Sequence, residues 1–190
     1  MTTRRDFLKT MTMASAGLAF GAGDLLGSPA SASQKKATDK VKIAYVGIGN
    51  RGEQIIGDFA RTGMVEVVAL CDVDMGAPHT QKVMNQYPKA KRFRDFRQMF
   101  DKAGNEFDAV AIATPDHSHF PISMLALASG KHVYVEKPLA RTFYEGELLM
   151  QAALKRPNLV TQVGNQGHSE ANYFQFKAWM DAGIIKDVTA

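Results

Sequence analysis

Lys42-Ile43-Ala44-Tyr45-Val46-Gly47-Ile48-Gly49-Asn50-Arg51-Gly52 is the stretch that decides the fold. Its first five residues are an apolar run rich in β-formers, which reads as a short buried strand. The run stops at Gly47, and the period then changes to that of a helix over 53–61, with Ile55, Ile56 and Phe59 on one face. A GxGxxG by itself is a common turn; a strand before it and a helix after it make it a cradle for phosphate. In that setting Gly47 permits the tight turn, Gly49 lets backbone approach a pyrophosphate, and Gly52 lets helix and strand pack closely. Ile48, Asn50 and Arg51 complete the loop, and the helix N-terminus adds N–H donors and the positive end of its dipole. Arg51 is open to two readings, a phosphate contact or a solvated side chain.

Working outward, a second apolar strand over 65–70 runs into Cys71-Asp72-Val73-Asp74. Asp72 stands 20 residues beyond Gly52. A carboxylate there accepts the ribose hydroxyls of NAD and repels the 2′-phosphate of NADP, so NAD is the expected cofactor and NADP the less favoured one. Helices are expected over 80–86 and 96–102, with a short strand at 91–93 between them. The run 107–114 is the next buried strand, and it passes through Pro115-Asp116-His117-Ser118-His119 into an apolar helix. Strands follow at 132–135 and 159–163, with helices at 142–155 and 170–182. Thr142 and Glu145 form the signature of a capping box. Apolar strands alternating with helices define an α/β fold with a doubly wound parallel sheet, a Rossmann domain over 41–164. Residues 165–190 read as only the start of a second α/β domain, with a strand expected over 184–190.

The 190 residues carry 23 Lys and Arg against 19 Asp and Glu, a net charge of +4, with no basic stretch interleaved with aromatics; a nucleic-acid partner is not expected. A single cysteine excludes an internally disulfide-stapled fold, and Cys71 at a strand end reads as core. Thr3-Arg4-Arg5-Asp6-Phe7-Leu8-Lys9 is a twin-arginine pattern of the kind read by an export receptor. Ala30-Ser31-Ala32 is an A-x-A site, so residues 1–32 read as a leader cleaved before Ser33, and 33–40 as a polar linker. The apolar stretch over 11–20 is well short of the ~20 residues that span a bilayer. Export to the periplasm by the twin-arginine machinery, without stable membrane insertion, is the expectation.

Four motifs in order resemble the Gfo/Idh/MocA family of oxidoreductases: Gly47 to Gly52, Cys71-Asp72, Thr114-Pro115-Asp116 with His119, and Glu136-Lys137-Pro138-Leu139. The resemblance implies a Rossmann domain followed by an α/β domain with a large open sheet. It implies hydride exchange between nicotinamide and a secondary hydroxyl or ketone of a sugar or cyclitol. It places Lys137 close to the reacting hydroxyl and Glu136 near the nicotinamide ribose. Thr114, Pro115, Asp116 and His119 are carried over to the cofactor site. On chemistry alone, a lysine suits that position, because a cation stabilises the oxyanion that develops as the hydroxyl proton leaves, and a desolvated lysine joins a proton relay. Asn165 and Gln166, after the sixth strand, read equally as nicotinamide contacts or as turn residues. Asp116, His117 and His119 are three donors within four residues, but no second cluster completes a shell, so no metal is expected.

The family's second catalytic group, a histidine often accompanied by an aspartate, comes from the second domain, so the chain reads as a truncated member. Three functional readings stand side by side. One is the oxidoreductase. Another is an NAD-dependent glycoside hydrolase working by oxidation and elimination, and the third is a cofactor-binding module without turnover. Family members often form homo-oligomers through the open sheet. Phe174, Phe176 and Trp179 read as packing residues.

Overall fold

Residues 40–188 are described by the computed structural model; the expected leader, 1–32, and linker residues 33–39 lie outside the described residues. Strands β1 (Val41–Val46), β2 (Val65–Cys71), β3 (Lys91–Phe93), β4 (Ala109–Ile112), β5 (His132–Glu136) and β6 (Thr161–Gly164) form one sheet in the order β3-β2-β1-β4-β5-β6. Every neighbouring pair is parallel. Such pairing needs long crossovers, and helices α1 (Arg51–Arg61), α2 (Pro78–Gln86), α3 (Phe96–Ala103), α4 (His119–Ala128) and α5 (Phe143–Leu154) supply them. Helix α6 (Ala171–Asp181) follows β6. Among the described residues no helix is long and apolar enough to cross a membrane.

Side chains alternate between the two faces of each strand, and the core is divided accordingly. Ile43, Tyr45, Leu70 and Ala111 pack under Ile55 and Ile56 of α1 and Val83 and Met84 of α2. Ala44, Val46, Val110 and Ile112 pack against Met99 of α3, Ile122 and Leu127 of α4 and Leu149 of α5. The strands are apolar on both faces because both faces are covered. Cys71 belongs to the second cluster, and burial, with Asp72 and Asp95 adding to it, pushes its thiol up to about 12. It is a core residue, as expected.

Strand order reverses between β1 and β4, so the connections leaving these two strands turn to opposite sides and open a crevice at their C-terminal ends. The boundaries around it differ from the sequence reading in instructive ways. The strand expected over 107–114 narrows to Ala109–Ile112; the Ala113 N–H still donates to the Val46 carbonyl at 2.8 Å before the chain turns away. Strand β6 begins at Thr161 because the Val160 N–H is taken by His132 Nδ1 at 2.9 Å. The capping box forms: Thr142 Oγ1 accepts from the Glu145 N–H at 3.2 Å, and Glu145 Oε2 accepts from the Thr142 N–H at 3.1 Å. The strand expected over 184–190 is not formed over 184–188. Among the described residues no neighbouring strand offers it a ladder, and strand backbone is stable only when paired. Phe174, Phe176 and Trp179 of α6 are exposed, so the packing expected of them is not made within the described residues.

Tyr45 is fully buried, its hydroxyl has no hydrogen-bond partner among the described residues, and burial, with Tyr87 adding to it, holds the phenol well above its usual range. Tyr45→Phe removes an unpaired buried polar group, so stability should rise by about 1 kcal/mol. A urea unfolding midpoint checks this, and a clear fall would show that the hydroxyl is bonded after all.

Candidate functional site: a nucleotide cleft beside a buried carboxylate

The glycine motif closes as a turn. The Gly52 N–H donates to the Gly49 carbonyl at 2.9 Å. Between them Asn50 has φ 48° and ψ −102°, close to the first central position of a type II′ turn. Gly47, with φ 79°, continues the ladder by donating to the Cys71 carbonyl at 2.8 Å. A methyl group on Gly47 would stand 2.6 Å from the Ala113 carbonyl oxygen, and one on Gly52 2.0 Å from that of Gly47. These two glycines let β1, β4 and α1 converge. Helix α1 has no side-chain cap, and the Gly49 and Asn50 amides bond to no described residue. Unclaimed N–H groups at an uncapped helix start suit an anion.

Asp72 closes the other side of the turn. Its Oδ2 accepts from the Ile48 N–H at 2.9 Å and its Oδ1 from the Asp74 N–H at 3.0 Å. The Ile48 side chain is wholly buried, so this residue serves the site through its amide alone. A cleft of about 610 Å³ opens here; Gly47, Gly49, Asn50, Asp72, Thr114 and Pro115 are among its lining residues. That volume falls within the ordinary range for a cofactor site.

On the β5 side the structure adds an ion pair to the two readings of Arg51. Its guanidinium, a third exposed, is engaged within the domain: Nη2 donates to Glu136 Oε1 at 3.0 Å and Nη1 to Gln54 Oε1 at 2.9 Å. Burial lowers the Arg51 pKa, but the hydrogen bond and charge of Glu136 outweigh it and hold the guanidinium above its usual range. Glu136, 4% exposed, also accepts from the Tyr134 hydroxyl at 3.1 Å and from Gln166 Nε2 at 3.3 Å. A side chain at Gly164 would strike the Tyr134 hydroxyl at 2.5 Å and Glu136 Oε1 at 2.6 Å. Glu136 is thus a structural anion engaged within the domain. Gln166 joins it, whereas Asn165 is exposed.

Lys137 follows at the C-terminal end of β5, with a cis bond to Pro138. It is exposed, so the desolvation expected of it is not supplied by the described residues. His119 is placed differently from expectation. At 1% exposure it lies behind the cleft, with Nδ1 2.6 Å from the Pro138 carbonyl oxygen and Nε2 2.9 Å from that of Thr114. A neutral ring donates to only one of these oxygens and an imidazolium to both. Its place is a brace between the cofactor-side loop and the segment after Lys137. Asp116 is exposed at the start of a 3-10 turn. Among the described residues no three metal-donating side chains are gathered. Sequence reasoning missed Tyr134, read only as a strand residue, and His79, at the start of α2.

Residues 41–164 match the family profile GFO_IDH_MocA, the oxidoreductase family with an NAD-binding Rossmann fold, and the chain belongs to that family. It is 30% identical over 147 residues to the inositol 2-dehydrogenase of Salmonella typhimurium, covering 76% of this chain and 43% of that protein. It is 32% identical over 160 residues to a glycosyl hydrolase family 109 protein of Shewanella pealeana, covering 75% and 35%. The structure of scyllo-inositol dehydrogenase from Lactobacillus casei, with bound NAD(H) and scyllo-inositol, superposes with a TM-score of 0.69 at 28% identity, covering 80% and 44%. The chain spans less than half the length of these relatives.

Arg51→Met strands a buried carboxylate and should destabilise the domain by about 2 kcal/mol, while Arg51→Met with Glu136→Gln should recover much of that loss. Thermal or denaturant unfolding of the four members of the cycle reads the coupling, and additive losses would mean that the pair does not interact in solution.

Proposed function

We propose that this chain is the cofactor-binding half of an NAD-dependent oxidoreductase acting on a secondary hydroxyl, or the corresponding ketone, of a cyclitol or sugar. The observation that carries the reading is the glycine turn with its unclaimed Gly49 and Asn50 amides at the start of α1, flanked by Asp72 at the end of β2. The turn itself is built for glycine, since methyl groups at Gly47, Gly49 and Gly52 would each meet neighbouring protein atoms within 2.6 Å. The Gly49 and Asn50 amides and the helix start would hold the pyrophosphate, and Asp72 the adenosine ribose. Bound NAD⁺ supplies a hydride acceptor at nicotinamide C4.

What this chain's own residues contribute is placement and charge. Lys137, projecting from the end of β5, sets a cation beside the hydroxyl whose proton leaves, and so stabilises the developing alkoxide. Water is excluded and Lys137 desolvated by whatever covers the cleft in the complete protein. Relatives named as inositol dehydrogenases favour the cyclitol. The likeness to a glycosyl hydrolase family 109 protein supports a second reading, in which the same oxidation opens an elimination and hydrolysis of a glycoside. The Thr3–Lys9 twin-arginine pattern supports export to the periplasm. Arg4→Lys with Arg5→Lys should trap the protein in the cytoplasm, as cell fractionation would show.

Calorimetric titration tests the cofactor reading. NAD⁺ should bind saturably and NADP⁺ at least tenfold more weakly. Asp72→Asn keeps an oxygen for the Ile48 amide but removes the charge, so it should narrow that gap. Absence of NAD⁺ binding to the folded chain would overturn the reading. In the complete protein Lys137→Ala should lower turnover at least a hundredfold with NAD⁺ affinity unchanged; retained turnover would remove Lys137 from the chemistry.

A further inference from the structure

The wall of the cleft facing the glycine turn carries a side chain that neither the glycine motif nor the lysine motif includes. His79, in the first turn of α2, lies directly against Gly49: a methyl group on Gly49 would stand 2.1 Å from His79 Cδ2 and 2.7 Å from Nε2. This is unlike Gly47 and Gly52, where the excluded volume belongs to backbone. His79 and Gly49 line the same cleft, together with Asn50, Asp72 and Val73. No hydrogen bond to a described residue engages either ring nitrogen.

We infer that His79 is a binding residue for the ADP half of a dinucleotide, its imidazole donating an N–H to a pyrophosphate or ribose oxygen held over Gly49. The inference rests on the dinucleotide reading above and deepens it. An oxygen drawn to the Gly49 and Asn50 amides has to lie over Gly49, and the imidazole already touches that glycine from the cleft. Such an oxygen therefore meets an unengaged ring nitrogen as well as the two amides. Imidazole is a donor in its neutral and charged forms, and its bond to a phosphate oxygen is of the stronger, charge-assisted kind. Asp72 and His79 line the same cleft, so one carboxylate and one imidazole are available to the adenosine ribose and its phosphate. A second consequence concerns the motif itself. A methyl group at position 49 would have to displace the His79 imidazole even before a ligand arrives, so the two positions are coupled.

Titration of the full chain with NAD⁺ and with ADP-ribose tests the contact. His79→Ala should weaken both ligands by about tenfold, and equally, because the contact is to the half they share. His79→Gln, which keeps an N–H donor, should recover part of the loss. Independently of any ligand, Gly49→Ala should lower the melting temperature, and adding His79→Ala should restore most of it. NAD⁺ binding by His79→Ala that is as tight as wild type, or tighter, overturns the inference and leaves the dinucleotide reading standing. So does a Gly49→Ala loss undiminished in the double variant. If the wild-type chain binds neither NAD⁺ nor ADP-ribose, both fall together.

Discussion

Helix α1 approaches strand β1 so closely that the Gly52 Cα has room for no methyl group beside the Gly47 carbonyl oxygen, 2.0 Å from where that methyl would sit. The site depends on this closeness. It brings the start of α1 to the mouth of the crevice between β1 and β4, where the Gly49 and Asn50 amides are unclaimed. A larger residue at either glycine would tilt the helix away, and the N–H groups would no longer converge. Apolar packing of Ile55 and Ile56 on the sheet holds the helix down; the glycines let it come near enough.

The turn is then fixed from both sides by carboxylates. Asp72, on the β2 side, holds the Ile48 amide, and Glu136, at the end of β5, holds Arg51. Hydrogen bonds to charged groups are worth more than neutral ones, on the order of 1.5–3 kcal/mol, so the loop is held in place before any ligand arrives. The arrangement has an electrostatic corollary. With Arg51 engaged by Glu136, what the loop leaves unclaimed is its Gly49 and Asn50 amides and the positive end of the helix dipole. Glu136 in turn links the glycine turn to Lys137 through the backbone of one residue. The glycine turn and the segment that carries Lys137 are therefore joined through a single polar cluster.

Much of this is legible in the sequence because the signals are local. Strands β1, β2, β4 and β5 read as largely apolar runs rather than alternating ones, as a sheet covered on both faces requires. Gly47, Gly49, Gly52 and Asp72 stand at intervals dictated by one strand, one turn and one helix. What is not legible is long-range. Arg51 and its partner are 85 positions apart, and nothing near either residue announces the pair. His119 sits among motif residues yet points inward, since the first turn of α4 directs it to the Thr114 and Pro138 carbonyls. His79 is a lone histidine on a polar helix, and only the three-dimensional approach of α2 to Gly49 gives it meaning. The expected strand is not formed over 184–188 for a related reason: strand propensity is expressed only where a neighbour supplies the ladder.

Strand order has a consequence for how the chain acquires its site. β1 pairs with β2 and with β4, and these partners lie on opposite sides of it in space and at very different distances along the chain. The β1–β2–β3 half is assembled from near neighbours, whereas the β1–β4 ladder joins Ile43 to Ala109 across the whole intervening segment. Loop closure of that length slows folding, and a chain emerging from the ribosome can close this ladder only once β4 has followed β1, β2 and β3 out. Until that ladder closes, Ala113 is not beside Gly47 and the crevice does not exist. Formation of the central parallel pair and acquisition of the nucleotide site are one event, so a dinucleotide present during folding stabilises the completed sheet and not its half-built precursor.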